Sequence, residues 1–403
     1  GQQTDGVAQE QRHQGQTSGT RQADRPNHRG FIKLQLAHDM EIRMGAYRHM
    51  ESQPLQKGEY LCRGHRQYRY GHYLSSGVPA GGCHSSPLDK PGNVIFKEHR
   101  ENPCLRQTRG WTMHDMWPCT GICHHARECT RYQQECGNCP FIHGNGSRKD
   151  LSYRTFRKKQ ELYQGRHINF VTCSHWLEGL AKKSALLAGH TITCIPNPIN
   201  TNLFKPHNKQ EARNRCQLPQ DARLVLFGSV KTTDKRKGID YLVESCALLA
   251  EKHPELKTKL GVVIFGKESQ QLANLLPFKV YPLDFVSNEH QLVNIYNAVD
   301  LFVTPSLEEN LPNMIMEAMA CGIPCVGFNV GGIPEMIDHL HNGYVAQYKS
   351  SEDFANGIYW TLTDPDYPSL AEQACRKAVT HYSESAIAKK YIDLYNKVTG
   401  RNA

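Results

Sequence analysis

The chain has 403 residues, which is long enough for two domains of ordinary size. Hydrophobic residues make up 39% and charged residues 22%, as in a soluble globular protein, and the longest apolar runs, such as 260–265, are far too short to span a bilayer. The formal net charge of +9 suits nucleic acid, an anionic membrane face or phosphate-bearing ligands, and charge alone does not choose among them.

Residues 1–108 differ in composition from the rest of the chain. Leu, Ile, Val and Phe together number 14 in residues 1–100 and 31 in residues 201–300, and Val7 is the largest apolar side chain among the first thirty residues. A segment this poor in apolar residues cannot bury enough surface to offset its ordering entropy. We interpret 1–108 as a disordered or out-of-frame segment without a packed core; a divergent natural extension is the alternative.

The cysteines and the first residues bear on the compartment. No charged-then-apolar leader is seen at the first residues, so we expect no secretory signal and a cytoplasmic location. In a reducing compartment the fifteen cysteines are expected to be free thiols or metal ligands rather than a disulfide scaffold.

From residue 168 onward, short apolar runs alternate with amphipathic stretches. The sequence predicts strands over 169–172, 191–195, 224–227, 261–265, 301–304 and 325–328. It predicts helices over 175–187, 238–252, 289–299, 313–320, 333–339 and 383–398. Such alternation is typical of βαβ units around a parallel sheet.

A Pro- and Asn-rich stretch, 196–206, is expected to link two α/β domains that face a cleft. The domain boundaries predicted in this way are 109–200 for the first domain, 201–380 for the second and 381–403 for a closing helix.

Three loops after predicted strands carry the candidate ligand-binding residues, because ligands of open parallel sheets bind outside the carboxyl ends of the strands. The loop 305–312 contains Glu309 and precedes a helix that carries Glu317. A helix N-terminus can hold a phosphate, and the two carboxylates can accept hydrogen bonds from hydroxyls on either side of it. The alternative is that both are solvated surface acids.

The other two loops add cations and glycines. The loop 228–238 has four cations in seven residues ahead of a helix, which predicts a diphosphate clamp, with a solvated basic loop as the alternative. The pair Gly331-Gly332 lets a backbone approach a ligand closely. Three such loops at one end of a sheet together indicate a phosphate-binding site.

At these positions the sequence resembles a known family. The segment 309–324, ENLPNMIMEAMACGIP, resembles the E-x7-E signature of the retaining family 4 glycosyltransferases (glycosyl transferases group 1). Lys237-Gly238 resembles that family's Lys-Gly pair, and VGGIPE at 330–335 its Gly-Gly-x-Pro-Glu turn. WTMHDMWP at 111–118 resembles the N-domain strand of members that assemble surface polysaccharides. The resemblance implies the GT-B fold, two Rossmann-like domains facing a cleft, with the N-terminal domain incomplete in this chain.

The resemblance also implies a role for each matching residue. Glu317 would hold the ribose hydroxyls of a nucleotide sugar, and Glu309 would contact the donor sugar beside the reacting carbon. Lys237 would neutralise the diphosphate, with the amides of Asn310 and Leu311 contributing.

Further positions follow from the same resemblance. His114 would face the donor sugar across the cleft, and the loop at Gly266 would lie beside the base of the nucleotide. The remaining donor-binding positions are Gly228, Arg236, Gly331 and Gly332. Ser229 is a departure, since many relatives carry a second diphosphate-binding Arg there; Lys231 or Arg236 would then have to replace it.

The resemblance thus implies a retaining transferase that moves a sugar from a UDP- or GDP-linked donor to a polysaccharide or lipid-linked glycan, without a catalytic metal. An acceptor of this kind implies peripheral contact with the anionic inner face of the membrane. The alternatives are a homologue that binds a nucleotide sugar without turnover and a sugar-nucleotide epimerase. Nucleic-acid binding is not expected, because the basic residues cluster at the phosphate loops without interleaved aromatics.

A cysteine cluster lies apart from these motifs. Cys123, Cys129, Cys136 and Cys139 could together bind a structural zinc tetrahedrally. A set of reduced thiols or a local disulfide is the alternative, because the spacing is not that of a standard zinc finger.

Overall fold

The computed structural model of the chain describes residues 109–142 and 146–399. The segment 1–108 lies outside the described residues, so its expected lack of a core stays a prediction. The strands are β1 (Arg109–Met113), β2 (Ile168–Thr172), β3 (Thr191–Cys194), β4 (Arg223–Lys231), β5 (Leu260–Lys267), β6 (Lys279–Leu283), β7 (Leu301–Thr304), β8 (Cys325–Phe328) and β9 (Gly343–Ala346). The α-helices are α1 (Leu151–Tyr163), α2 (His175–Lys182), α3 (Lys209–Cys216), α4 (Ile239–Lys252), α5 (Glu289–Ala298), α6 (Asn313–Ala320), α7 (Ile333–Met336), α8 (Ser351–Thr363), α9 (Tyr367–Tyr382) and α10 (Glu384–Thr399).

The first sheet has three parallel strands in the order β1-β2-β3. All five residues of β2 are buried, as expected for a central strand covered on both faces. Its core is aromatic: Phe170 stacks on Trp111 with ring centroids 5.8 Å apart and meets the edge of Tyr163 at 5.5 Å. Within the described residues β1 forms one edge of this sheet.

The second sheet has six parallel strands in the order β6-β5-β4-β7-β8-β9. The chain runs outward from β4 through β5 to β6, and then outward in the other direction from β7 through β8 to β9. This order places the topological switch point between β4 and β7. In an open sheet of this type, the ligand crevice forms at the carboxyl ends of those two strands. The loops that follow β4 and β7 are therefore where this fold predicts a ligand site.

Helices cover both faces of the second sheet. On one face α3, α5, α6 and α9 bury residues such as Phe302 and Tyr296. On the other face α4 and α8 pack over Phe227 and Phe328. With both faces buried, the central strands are continuous apolar runs, which is why they were predicted from the sequence.

Most predicted elements agree with the structure, and the differences have local causes. The strands β7 and β8 and the helix α6 have the predicted bounds. Helix α2 ends at Lys182 rather than at residue 187, because the hydroxyl of Ser184 donates to Cys119 O at 2.7 Å and accepts from Leu186 N. Helix α7 ends at Met336 rather than at 339, and the amide oxygen of Asn342 there accepts from the backbone of residue 338.

The stretch 196–206 carries the chain from the first sheet to the second, and α10 brings it back. Ile199 donates its backbone N–H to Tyr382 O at 2.7 Å, so the outgoing and returning segments are paired. Ile387 and Leu394 of α10 then pack on Val171 of the first sheet. The domain boundaries at 108, 200 and 380 stay predictions. None of the described helices has the length and apolar character required to cross a membrane.

A buried cation fixes the turn that follows β1. The Lys159 Nζ donates to the carbonyl oxygens of Trp117, Thr120 and Gly121 at 2.5, 2.9 and 3.1 Å. It also lies 3.4 Å from the centroid of the Trp117 ring. Burial lowers the pKa of the Lys159 ammonium to about 7.

Replacing this lysine by a residue without hydrogen-bond donors leaves the buried Thr120 and Gly121 carbonyls without this donor, whereas Trp117 O keeps the Thr120 N–H at 3.3 Å. We expect Lys159→Met to lower the free energy of unfolding by about 2–4 kcal/mol in urea titrations. The variant Arg154→Met, at an exposed position of the same helix, is the control and should change it by about 0.5 kcal/mol or less.

The contribution of Lys159 to the free energy of unfolding should depend on pH. The unfolded chain keeps the Lys159 proton up to a pKa of 10.5, whereas the folded chain releases it near 7. The contribution of this group to stability is therefore complete above 10.5 and is lost as the pH falls through 7. We expect the stability difference between wild type and Lys159→Met to widen as the pH rises above about 7. A difference that stays constant with pH would contradict the lowered pKa.

Candidate functional site

The loops after β4 and β7 meet at the switch point. Leu307 donates its backbone N–H to Arg236 O at 2.8 Å. Gly238 has a positive φ of 69°, and a Cβ there would lie 1.8 Å from Pro305 O. Only glycine allows the two loops to approach this closely.

The charged side chains of these loops pair with each other. The Lys237 Nζ donates to Glu309 Oε1 at 2.6 Å, and Arg236 Nη2 donates to Asp234 Oδ2 at 2.8 Å. The Lys237 side chain is 32% exposed and that of Glu309 is 14% exposed, so the first pair borders solvent. The structure therefore brings together two of the residues predicted from separate motifs.

Helix α6 begins immediately after this pair. Its N-cap is Pro312, and no side chain caps this end of the helix. The first backbone N–H groups of a helix have no partner within the helix, and they favour an anion. A cation and a helix N-terminus thus lie in one short stretch of the crevice, which can hold a phosphate.

The loop after β8 packs against the loop after β7. A Cβ on Gly331, whose φ is 60°, would lie 1.7 Å from Glu309 O, and a Cβ on Gly332 would lie 2.3 Å from Asn310 O. The Gly332 N–H also donates to Asn310 O at 2.7 Å. The glycine pair therefore packs against the backbone of residues 309 and 310, and its expected contact with a donor stays a prediction.

The Asn310 side chain connects the second sheet to the first. Its Oδ1 accepts from the Ser174 hydroxyl at 2.5 Å, and its Nδ2 donates to His114 O at 2.8 Å. Ser174 is also the N-cap of α2. The Asn310 side chain, expected from the sequence only to border the diphosphate through its amide, thus joins the ends of β1 and β2 to the loop after β7. The neighbouring Leu311 is buried in the core of the second sheet.

A second cross-connection comes from the family-like turn at 330–335. The Glu335 carboxylate accepts from the backbone N–H groups of His175 and Trp176 at 2.8 and 2.6 Å. It caps the N-terminus of α2 from the other sheet. We assigned Glu335 no role from the sequence, because its partners lie 160 positions away.

His114 lies on the first-sheet side of the crevice. Its Nδ1 is 3.4 Å from the Cys173 thiol. The adjacent Asp115 accepts from Trp117 N at 2.7 Å and binds His124 Nδ1 at 2.9 Å. Burial raises the pKa of Asp115 to about 6, and burial lowers the pKa of His124 to about 4. Apart from the motif His114-Asp115, no feature of the sequence pointed to the pair of Asp115 and His124.

The residues that follow His124 face the loops after β4 and β7. Arg127 Nε donates to Glu308 Oε1 at 2.7 Å, which links the cysteine-rich segment to the loop after β7. Burial lowers the pKa of His125, and the charges of Glu308 and Arg236 also act on it. Carboxylates and cations of the second sheet thus surround the segment 124–127.

Glu317 lies deeper than the other candidate residues. Its side chain is 4% exposed, and its Oε2 accepts from the Tyr296 hydroxyl at 2.8 Å. The structure therefore gives Glu317 a packing partner in addition to the ribose contact expected from the family resemblance.

The two glycines at the ends of β4 and β5 are required by packing. A Cβ on Gly228 would lie 2.3 Å from the Phe265 ring, and a Cβ on Gly266 would lie 1.9 Å from Ser229 O. The Ser229 hydroxyl is buried and has no hydrogen-bond partner among the described residues. Lys231, one of the two candidates to replace the missing arginine, is engaged by Glu268 at 3.2 Å.

The four candidate zinc ligands lie near one another. Burial, followed by the charges of Cys139, Cys136 and Cys129, raises the pKa of the Cys123 thiol to about 12. In the described part of the chain, however, no three His, Cys, Asp or Glu side chains are arranged to hold a metal ion. None of the described cysteines forms a disulfide. The zinc stays a prediction, which the metal content of the purified protein measures.

Comparison with known proteins identifies the second sheet and its helices. Residues 208–378 match the family model described as Glycosyl transferases group 1, so this part of the chain is similar to that family. The D-inositol 3-phosphate glycosyltransferase of Thermobispora bispora is 28% identical over 221 residues, covering 52% of this chain and 51% of that protein. An uncharacterized glycosyltransferase of Haemophilus influenzae is 30% identical over 182 residues, covering 44% and 47%. The chain spans about half the length of the curated relatives it matches.

Solved structures share the fold over more of the chain. Sucrose-phosphate synthase from Thermosynechococcus elongatus has a TM-score of 0.57 at 20% identity and covers 77% of this chain and 71% of its own. The Anabaena protein HepE, determined in complex with UDP and glucose, has a TM-score of 0.50 at 21% identity and covers 60% and 67%. The expected α/β fold with parallel sheets, similar to GT-B glycosyltransferases, is confirmed.

The cross-connection through Asn310 makes a testable prediction. We expect Asn310→Ala to lower the free energy of unfolding by about 2–3 kcal/mol, because both hydrogen-bonding groups of a buried amide are removed and their partners remain buried. Chemical denaturation measures the loss. Asn313→Ala is the matched control, since the Asn313 side chain only accepts a long 3.3 Å bond from Asn197 and its removal should cost less. Equal losses in the two variants would contradict the bridging role.

Proposed function

We propose that this chain is a retaining glycosyltransferase that transfers a sugar from a nucleotide-sugar donor to a polysaccharide or lipid-linked glycan acceptor. The observation that carries the proposal is the Lys237–Glu309 pair beside the uncapped N-terminus of α6, at the switch point of the second sheet. The family match of residues 208–378 supports the transferase chemistry. Glycosyl transfer requires a departing diphosphate to be stabilised, and a cation and a helix N-terminus can do this.

A uridine-diphosphate sugar is the donor we favour over a GDP-linked one. The support is that HepE, which shares the fold, was determined with UDP and glucose. The diphosphate would lie between Lys237 and the first amides of α6. Lys237 would then exchange its carboxylate partner for a phosphate, and Glu309 would become available for the sugar hydroxyls. Glu309 in this role positions the sugar rather than attacking it.

Arg236 is the better candidate for the second diphosphate cation. Its guanidinium interacts with the charges of Glu308 and Glu309, whereas Lys231 pairs with Glu268. Arg236 and Lys231 are the two candidates to replace the arginine missing at position 229. Of these two, Arg236 lies beside the loop that carries Glu309.

Retention of configuration would follow from attack on the face that the diphosphate leaves, with the leaving phosphate taking the acceptor's proton. His114 would contact the donor sugar from the first-sheet side, because its backbone is held to Asn310 next to Glu309. The acceptor would approach from the same side.

The acceptor is the least constrained part of the proposal. A lipid-linked glycan would place the protein in the cytoplasm in peripheral contact with the anionic inner membrane face, which the net charge of +9 favours. The relatives named D-inositol 3-phosphate glycosyltransferases favour a second candidate, a small phosphorylated cyclitol.

Product analysis tests the proposal. The purified chain is incubated with UDP-glucose or GDP-mannose, with and without lipid-linked glycan or inositol 3-phosphate, and the anomeric configuration of the product is read by NMR. We expect an acceptor-dependent product with retained configuration. A new sugar formed without acceptor would indicate an epimerase, and donor binding without any product would indicate a homologue that does not turn over.

Lys237→Ala should weaken UDP binding more than uridine binding, because the lysine is proposed to contact only the diphosphate. We expect roughly a 10- to 100-fold loss for UDP, corresponding to a charge-assisted hydrogen bond of about 1.5–3 kcal/mol, and little change for uridine by calorimetry. Lys231→Ala, at the end of β4 just before this loop and paired with Glu268, is the matched control. An equal loss for both ligands would mean that Lys237 is structural.

Glu317→Gln should weaken UDP binding through the ribose. We expect a loss of roughly tenfold for UDP and a smaller one for 2′,3′-dideoxyuridine diphosphate, since the latter has no hydroxyl for the carboxylate to bind. Tyr296→Phe, which removes the hydroxyl that donates to Glu317 Oε2 and keeps the ring, is the control. If Glu317→Gln weakens both ligands equally, the carboxylate supports the fold and not the ribose.

A further inference from the structure

A cavity of about 500 Å³ lies away from the donor loops. It is bounded by the N-terminus of α2, the end of β3, and the helices α7, α9 and α10. None of its lining residues belongs to 228–238 or 305–312, so it is distinct from the switch-point site. Its volume is in the range of pockets that hold small molecules.

The cavity lies where the chain passes between the two sheets. Pro196, on the outgoing segment, and Tyr382, at the start of the returning one, both line it. The backbone bond from Ile199 N to Tyr382 O ties these segments together beside it. A ligand here would contact elements of both sheets at once.

Both carboxylates that line the cavity have hydrogen-bond partners outside Arg376 and Lys390. The Glu335 carboxylate accepts two backbone N–H bonds at the N-terminus of α2. The Asp338 carboxylate binds Lys377 Nζ at 2.7 Å and Asn342 Nδ2 at 3.2 Å. Among the described residues, neither acid forms an ion pair with Arg376 or Lys390.

Two of the three permanent cations that line the cavity have no acidic partner in the described part of the chain. Arg376 donates to the side-chain oxygen of Gln373, which carries no charge. Lys390 has no ion-pair partner among the described residues. Three permanent cations, Arg376, Lys377 and Lys390, and two carboxylates line the cavity, which leaves one net positive charge, and a concave surface of this sign attracts an anion.

We propose that this cavity binds a small phosphate ester that also carries hydroxyl groups. Arg376 and Lys390 hold the phosphate of this ester, and Gln373 and Thr380 hold its hydroxyl groups. A guanidinium matches the geometry of phosphate oxygens and an ammonium adds a point charge. The amide and hydroxyl groups suit a polyol rather than an apolar body. The inference does not rest on the proposed transferase function, because it uses none of the donor-loop residues.

Ligand titration of the full chain tests this site. Inorganic phosphate, glycerol 3-phosphate and glycerol are titrated by calorimetry and thermal shift into the variant Lys237→Ala, in which the proposed diphosphate site is weakened. We expect saturable binding of glycerol 3-phosphate, weaker binding of inorganic phosphate and none of glycerol, with a melting temperature that rises with ligand concentration. Binding should weaken as NaCl is added.

Paired charge-removing variants locate the binding. Adding Arg376→Gln and Lys390→Gln to the Lys237→Ala variant should weaken the binding of glycerol 3-phosphate at least tenfold. Adding Arg154→Gln and Lys389→Gln, which remove two exposed cations outside the cavity, should leave it unchanged. All four positions are exposed, so the variants are expected to fold, and their melting temperatures without ligand check this.

Three results would overturn the inference. These are no saturable binding, binding that survives loss of both Arg376 and Lys390, and equal weakening by the control pair. Stronger binding of phosphate than of the ester would overturn the assignment of the hydroxyl contacts. A chain that binds glycerol 3-phosphate through Arg376 and Lys390 but shows no UDP affinity would contradict the proposed function and leave this inference intact.

Discussion

The buried amide of Asn310 is the contact on which the arrangement of the crevice depends, because it uses both of its polar groups across the two sheets. Ser174 donates to its oxygen at 2.5 Å and its nitrogen donates to His114 O at 2.8 Å. An amide 8% exposed cannot exchange these partners for water without cost. Since Glu309 is the preceding residue, the distance from Glu309 to the first sheet is set by this amide. The Gly331-Gly332 turn supports the same loop from behind, since no side chain intervenes.

The ion pair between Lys237 and Glu309 is part of how the positive charge of the crevice is compensated. Three cations lie in the short turn 235–237, where they would repel one another without acidic partners. Asp234 and Glu309 each neutralise one of them, at 2.8 and 2.6 Å. An anionic ligand would compete with these carboxylates, so the gain from each new contact is reduced by the pair that it breaks. Because the Lys237 side chain is 32% exposed, water screens this exchange and keeps its cost moderate.

The parts of the fold predicted from the sequence are those with a continuous local signal. The central strands β7 and β8 are buried on both faces, and their apolar runs have clear ends. Two edge strands were not predicted: β6 contains Pro282, which is tolerated only because the strand is at the edge of the sheet, and β9 begins with Gly343 and has two half-buried residues. Helices α1, α3, α8 and α9 were also missed, and α9 has Pro368 in its first turn after an Asp-rich turn. The predicted ends of α2 and α7 were wrong because side-chain hydrogen bonds end these helices where the hydrophobic pattern continues.

The sequence by itself determined which loops follow the strands β4, β7 and β8, since a strand, a loop and a helix that follow one another within twenty residues place a motif at a known end of a sheet. It indicated Glu309, Lys237 and the glycine turn in this way. Only the tertiary structure decided which of them touch: Lys237 and Glu309 are 72 positions apart, Glu317 and Tyr296 are 21 apart, and Asn310 and Ser174 are 136 apart. It also decided that Glu335 caps a helix of the other sheet, and that Arg376 and Lys390 line one cavity. Local periodicity records which face of an element is buried, but a polar contact between distant segments depends on how the whole chain packs, and no short window of residues contains that information.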